Sequence, residues 1–324
     1  MLRILYAGSP DASAVTLQNL LEKSAGADFM VCGVLSNPPS AKGRHKTPLP
    51  TPVAALAAER GLPVLTPEHL DAECRAAVST LQPDILVCFA YGHIFGPKFL
   101  SLFKYGGINL HPSALPQYRG CTPVNAAILN GDAETAFSVQ TLSLKMDEGD
   151  ILAQVRVPLD GTETAGSLLN DAAVRGADLI CALLAETAKN AALPAGTPQS
   201  GAASYTGIIT KDDARIKWAL SGKEIDCAVR AYSPEPCAWT EENGAPLKIL
   251  AGIPVSEEKA GVLGITDFSA VPGTVCAYIK SAGILVRCKD GFFAVTELQR
   301  QGKKPMDYKS FMNGVHNFEG TLLN

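Results

Sequence analysis

No stretch of the 324-residue sequence holds the ~18 consecutive apolar residues of a membrane-spanning helix. The opening residues Met1-Leu2-Arg3-Ile4-Leu5 lack a basic region followed by a long apolar one, so no secretory signal is expected. The nine cysteines are odd in number and no two have C-x-x-C spacing, which argues against a disulfide framework or a zinc ribbon. Reduced thiols are expected instead, most of them packed in cores, Cys121 included, in a cytoplasmic protein. Positive charge is not in excess either. With 28 Lys and Arg against 32 Asp and Glu, the net charge is −4, so composition alone does not mark a nucleic-acid binder. The common phosphate and nucleophile signatures are missing. Gly8-Ser9-Pro10-Asp11-Ala12-Ser13 follows the first strand but is not G-x-G-x-x-G, which argues against a Rossmann dehydrogenase. No P-loop, H-E-x-x-H or G-x-S-x-G occurs.

Apolar residues make up 47% of the chain, enough for a sizeable core, and at ~100–200 residues per domain the length suggests two domains. The first part reads as α/β. Leu2–Tyr6 is a short strand, Ser9 offers a helix cap with Pro10 as first helical residue, and Ala14, Leu17 and Leu21 share one helix face. Phe29–Leu35, Pro63–Leu65, Asp84–Phe89, Gly107–Leu110, Ala136–Leu144 and Ile151–Val157 read as further strands. Pro52–Arg60 and Gly166–Lys189 read as helices. This alternation predicts a doubly wound, mostly parallel sheet over residues 1–189.

Residues 190–207 contain no charge and many Ala, Gly, Pro and Ser, the composition of a linker. Over residues 208–324 the pattern changes. Ser221-x-x-Glu224 is a capping box, and short strand-like runs follow: Cys237–Thr240, Leu247–Leu250, Gly273–Ile279, Ile284–Cys288 and Phe292–Leu298. Asn243-Gly244 and Asp290-Gly291 supply turns, and a small β-barrel is expected. Two basic patches stand out. Lys42, Arg44, His45 and Lys46 lie on a loop with no acid between Asp28 and Glu59, and Arg300, Lys303 and Lys304 lie between Glu297 and Asp307.

The chemistry concentrates in two stretches. Asn109 and His111 stand two apart on a short strand, so both side chains face one way. Pro112 and Pro116 stiffen the exit from it. Lys145-Met146-Asp147-Glu148-Gly149-Asp150 is an acidic, glycine-bearing loop that could bring a carboxylate to His111. Asn, His and Asp suit acyl transfer to an amine. Asn109 and His111, either protonated or through Nε2–H, would stabilise the oxyanion, and Asp147 would orient His111, raise its pKa and help move the proton. Direct attack by the amine needs no Ser or Cys nucleophile.

Asn109-x-His111-x-Ser113-x-Leu115-Pro116-x-Tyr118-x-Gly120, with Asp147-x-Gly149-Asp150, resembles the formyltransferases that use 10-formyltetrahydrofolate. The resemblance runs from Ile4-Leu5-Tyr6-Ala7-Gly8-Ser9-Pro10 to Gly302-Lys303-Lys304-Pro305-Met306. The basic loop with Leu49-Pro50-Thr51-Pro52-Val53, together with the barrel, is similar to the tRNA-modifying branch. The resemblance implies a Rossmann-like folate-binding domain and an OB-like domain that helps hold tRNA. It implies 10-formyltetrahydrofolate as formyl donor, methionyl initiator tRNA as acceptor, no metal, no membrane and a monomer. The alternative acceptors are a small amine, such as an amino-sugar nucleotide, or water. By the same resemblance, Asn109, His111 and Asp147 are catalytic. Ser113, Ala114, Leu115 and Pro116, with Ala90, Tyr91, Gly92 and Ile94, lie at the folate. Lys42, Arg44 and Lys46, with Arg300, Lys303 and Lys304, meet the tRNA. Some positions depart from the family: the usual Leu-Leu-Pro-Arg is here Ala114-Leu115-Pro116-Gln117, without the positive charge, and Glu148 adds a carboxylate where Thr is usual. The second part holds 14 cations and 14 anions, so tRNA binding there is expected to be localised.

Overall fold

Runs of apolar residues covered on both faces become the strands of a central sheet. The computed structural model describes residues 1–41 and 47–324. Along the chain, β1 (Leu2–Gly8), α1 (Asp11–Ser24) and β2 (Phe29–Leu35) come first. A two-residue hairpin, β3 (Ser40–Ala41) and β4 (Pro48–Leu49), is followed by α2 (Pro52–Glu59), β5 (Val64–Leu65), α3 (Ala72–Thr80) and β6 (Ile85–Phe89). Then come α4 (Pro97–Leu100), β7 (Gly107–His111), β8 (Arg119–Gly120), α5 (Pro123–Leu129), β9 (Glu134–Thr141), β10 (Ile151–Pro158), α6 (Ala165–Asn190) and β11 (Tyr205–Thr206).

Seven of these strands form one sheet in the order β10-β9-β7-β6-β1-β2-β5. Its pairs from β7 to β5 are parallel, and β9 and β10 add an antiparallel hairpin at the other edge. Both faces are covered. Leu5, Ala7, Leu86 and Cys88 pack with Cys74 and Val78 of α3 and Phe99 of α4. On the opposite face, the Tyr6 hydroxyl donates to the Ser13 carbonyl of α1 (2.7 Å), and Thr16 Oγ1 of α1 donates to the Ala173 carbonyl of α6 (3.0 Å). Helix α1 starts one residue later than Ser9 and Pro10 suggest. Pro10 is the cap, its carbonyl accepting from the Ala14 N–H at 3.0 Å. The Ser9 hydroxyl instead accepts from the Asn37 N–H (3.1 Å) and lies 3.3 Å from Ser36 Oγ.

The remaining elements are α7 (Gly222–Ala231), β12 (Trp239–Glu242), β13 (Ala245–Ser256), α8 (Glu257–Val262), β14 (Val275–Ile279), β15 (Gly283–Cys288), β16 (Gly291–Arg300), β17 (Met306–Asp307) and α9 (Tyr308–Asn313). They build an antiparallel sheet in the order β12-β13-β16-β15-β14, with β17 beside β16. The Ser221/Glu224 capping box forms as expected, and Ile225 and Val229 of α7 enter the core with Trp239, Leu247 and Phe293. Strand β13 runs well past Leu250, because bulges around Ala251 keep it paired to β16 up to Ser256 despite Pro254. The expected barrel is not closed by continuous ladders among the described residues. Single bridges from the C-terminal residues span its two edges: Leu323 pairs with Glu242 beside β12, and Leu322 with Thr274 beside β14.

The chain separates into two compact units that are not simple halves. One gathers Met1–Pro123, Glu134–Pro158 and Leu168–Gly207; the other gathers Val124–Ala133, Leu159–Ser167 and Ile208–Asn324. Two stretches before the linker thus pack with the second unit. Asn125 Nδ2 donates to the Ala231 carbonyl (2.6 Å), and Arg230 donates to the Glu163 carbonyl (3.0 Å). Residues 190–207 are not a free spacer. Thr197 and Ile151 exchange backbone hydrogen bonds (2.8 and 2.9 Å), and β11 pairs with β8.

Candidate active site

The strand order reverses around β1, which has β2 on one side and β6 on the other, and open α/β sheets bind ligands beyond the carboxyl ends of the strands at such a point. Strand β7, beside β6 and parallel to it, ends at the same carboxyl edge with Asn109 and His111. In register, Asn109 faces Gln140 and His111 faces Ser138 on β9, so the four side chains form one polar stripe. The Asn109 carboxamide has no hydrogen-bond partner among the described residues, which leaves both its N–H groups for a ligand.

His111 is buried, with 4% of its surface exposed. Burial pulls its pKa below 6.5, and the opposing pushes from Asp147 and the Tyr118 carbonyl do not overcome it. The ring is therefore neutral at neutral pH. Its Nε2–H donates to the Tyr118 carbonyl at 2.9 Å, so the unprotonated Nδ1 is the atom 3.6 Å from Asp147 Oδ1. Asp147 pushes the His111 pKa up as expected, but the net outcome and the bonding of the ring differ from the sequence reading. The net shift at His111 is downward because desolvation outweighs the carboxylate, and Nε2–H is already held by a backbone carbonyl rather than offered to an oxyanion.

Asp147 sits in a left-handed turn (φ 53°). Its Oδ1 accepts from Gln140 Nε2 (2.9 Å) and its Oδ2 from the Gly120 N–H (2.8 Å). Both flanking glycines are required by close approach. A Cβ on Gly149 would lie 1.7 Å from the Thr141 carbonyl, and one on Gly120 (φ 109°) would lie 2.2 Å from the Thr206 carbonyl. The additional carboxylate, Glu148, turns away from this pair. It meets Arg119 Nη1 at 3.2 Å and accepts from the Tyr205 hydroxyl at 3.2 Å. It is not among the groups that shift His111.

The loop after β6 places Ala90, Gly92 and Ile94 at the surface, the first two with positive φ. Tyr91 is buried and stacks on Phe95 (5.5 Å between ring centres), while its carbonyl accepts from Asn37 Nδ2 (3.1 Å). Ser113 and Leu115 are also buried, and the Ser113 hydroxyl donates to the Gln117 carbonyl (2.6 Å). These three shape the loops, whereas Ala114 and Pro116 retain exposed surface. The side chain of Gln117 is exposed. Cys121, expected to be a packing residue, is exposed as well. Burial pushes the Cys88 thiol up to about 12, so Cys88, opposite Asn109 on β6, is no nucleophile.

Of the basic residues, Lys42, Arg44 and Lys46 lie outside the described residues. Lys303 and Lys304 are exposed on the turn after β16. Arg300 is held by Glu242 (Nε to Oε2, 2.7 Å) and lies over the Phe311 ring at 4.7 Å. Sequence reasoning missed Gln140, Arg119 and Gln199. A glutamine inside an apolar strand was a usable signal for the first of these. Gln199 gave none, sitting in a stretch whose composition reads as a linker.

A family model described as formyl transferase matches residues 2–183, and one described as formyl transferase, C-terminal domain, matches residues 208–316. The chain belongs to the formyl transferase family. Among its formyl transferase relatives, the methionyl-tRNA formyltransferase of Treponema denticola is 38% identical over 325 residues, covering 98% of each chain. That of Roseiflexus castenholzii is 38% identical over 324 residues, covering 99% of each. Solved structures share the fold at low identity. Methionyl-tRNA formyltransferase from Clostridium thermocellum superposes with a TM-score of 0.56 at 16% identity, over 78% of this chain and 93% of that one. HypX from Aquifex aeolicus, in complex with tetrahydrofolic acid, gives 0.61 at 17% identity; 97% of this chain matches 48% of that one. No helix among the described residues is long and apolar enough to cross a membrane.

Proposed function

We infer that this chain transfers the formyl group of 10-formyltetrahydrofolate to the α-amine of methionyl initiator tRNA. The observation that carries the reading is the full-length identity to methionyl-tRNA formyltransferases, in a chain that converges Asn109, His111 and Asp147 on one sheet end. The loop after β6 leaves backbone open to a ligand at the same edge of the sheet. Ala90 and Gly92 turn exposed backbone toward solvent at the end of β6, with no side chain in the way at Gly92.

Bound 10-formyltetrahydrofolate supplies the formyl carbon on N10. As the amine attacks, the new C–N bond forms, the bond to N10 breaks, and a proton passes from amine to N10. Asn109 Nδ2 donates to the formyl oxygen as charge develops there. Nδ1 of neutral His111 and the Asp147 carboxylate form an acceptor pair for the amine proton. Protonation of Nδ1 converts their contact into an ion pair, and proton return to N10 restores it. Gln140 and the Gly120 N–H hold Asp147 in place through this cycle.

The basic loop with Lys42, Arg44 and Lys46, and the exposed Lys303 and Lys304, are read as phosphate contacts for the tRNA. Arg300 is read as a structural cation. All nine cysteines are free, as in the reducing cytoplasm.

A formyl-transfer assay with 10-formyltetrahydrofolate tests this reading. Charged initiator methionyl-tRNA should be formylated, and charged elongator tRNA and free methionine should not. Folate turnover with an amino-sugar nucleotide or water alone would move the acceptor elsewhere. Arg44→Ala with Lys46→Ala should weaken tRNA use and flatten its salt dependence while donor kinetics stay unchanged.

A further inference from the structure

The carboxamide of Gln199 is saturated by the catalytic loop on one side and a single arginine on the other. Its Nε2 donates to the carbonyls of Asp147 (2.8 Å) and Gly149 (2.8 Å) and lies 3.2 Å from Gln140 Oε1. Its Oε1 accepts from Arg119 Nε (3.1 Å) and Nη2 (2.8 Å). The orientation of the amide is thereby determined, because a flip would set its N–H groups against the guanidinium and its oxygen against two carbonyls. Arg119 is itself fixed. Its Nη1 donates to the Tyr205 hydroxyl (2.8 Å), it lies 5.6 Å over the Tyr205 ring, and it pairs with Glu148. Bonds along the rest of the segment hold it in register: Thr197 to Ile151, Ser204 Oγ accepting from the Tyr118 N–H (2.8 Å), and Tyr205 beside Arg119.

We propose that Gln199, anchored by Arg119, is a positioning residue for the transfer reaction: it clamps the two carbonyls flanking the turn that carries the Asp147 carboxylate to His111. The proposal rests on the reading of Asp147 as catalytic. Asp147 owes its direction to a left-handed turn, and the side-chain bonds from Gln140 and Gly120 can form only while that turn keeps its shape. Gln199 reaches this turn from a segment some fifty positions downstream and touches no reacting atom. Its effect on catalysis therefore passes through Asp147.

The test is a double-mutant cycle between Gln199→Glu and Asp147→Asn, read in initiator-tRNA formylation. Gln199→Glu keeps the side-chain size and its partner Arg119 but turns a carboxylate oxygen onto two carbonyls. A displacement of Asp147 on the order of 1 Å would lower kcat about 10- to 100-fold and leave KM for the formyl donor unchanged. In the Asp147→Asn background, Gln199→Glu should cost no more than about 2-fold, because the group it positions is already gone. The acid limb of the kcat profile should also move to lower pH in Gln199→Met, which releases the turn without adding a charge, as in Asp147→Asn. Gln199→Met, similar in size and without donor or acceptor, gives a second measurement should the glutamate variant not fold by thermal melting. Wild-type turnover in Gln199→Glu, or an equal loss in both backgrounds, overturns the clamp. Wild-type turnover in Asp147→Asn itself overturns the assignment of the site, and the clamp with it.

Discussion

His111 Nδ1 stands 3.6 Å from Asp147 Oδ1 while the other ring nitrogen is held by the Tyr118 carbonyl. The reactive edge of the imidazole is therefore the one that faces the carboxylate. If the neutral ring is the working form, kcat falls as pH drops through the His111 pKa, which lies below 6.5. Asp147 pushes that pKa up, so Asp147→Asn should move the acid limb to lower pH as well as lowering the plateau. Full pH–rate profiles of the two proteins decide the point; an acid limb displaced to higher pH in the variant contradicts it.

The same burial makes His111 a source of acid instability. Its folded pKa lies below its unfolded value, so between the two the unfolded chain binds more protons. The stability contribution is complete above the unfolded value and is lost as pH falls through the folded one. Urea midpoints measured at about pH 7.5 and at about pH 5 should differ less in His111→Asn than in the wild type.

Asn109 offers its carboxamide to no described residue, as a donor reserved for ligand would. Asn109→Ala should reduce kcat by ~10²–10³-fold with little change in KM for the donor, the loss of one oxyanion donor. Steady-state kinetics at saturating tRNA measure it, and a variant with wild-type kcat would remove Asn109 from the mechanism.

In the second unit, Leu323 is buried and its bridge to Glu242 helps span the open side of the sheet. Leu323→Ala should cost roughly 2–5 kcal/mol, as other buried Leu truncations do. Urea denaturation followed by tryptophan fluorescence tests this directly, since Trp218 and Trp239 lie in the same core. A change below about 0.5 kcal/mol, the scale of a surface substitution, would show that the Leu323 side chain adds nothing to this core.

The central sheet was legible in the sequence because its strands are covered on both faces and read as apolar runs, Ile85–Phe89 most plainly. Asn109 and His111 were legible as a pair because they stand two apart on a strand, and Asp147 because it sits in an acidic glycine loop. What stayed hidden depends on contacts distant in sequence. Gln140 acts through cross-strand register, Gln199 through a single bridge at Thr197 and one amide, and the C-terminal residues through isolated bridges to Glu242 and Thr274. The direction of the His111 shift was hidden too, since burial of a side chain is decided by what packs on it and not by its neighbours in sequence. Strand β13 extends beyond Leu247–Leu250 because bulges keep it paired through Gly252 and Pro254, which local sequence does not announce.

The uncharged stretch at 190–207 has the look of a place to cut the protein in two. No Lys or Arg occurs between Asn190 and Thr210, so trypsin finds no site in it. A protease without that requirement would sever a segment bonded to the Asp147 turn rather than a tether, and on the proposed role of that turn nicking near Gln199 should silence transfer before any fragment leaves. A fragment starting at residue 208 would also lack Val124–Ala133 and Leu159–Ser167, which belong to its own compact unit. For this chain the natural unit of expression, exchange or crystallographic dissection is therefore the whole of it.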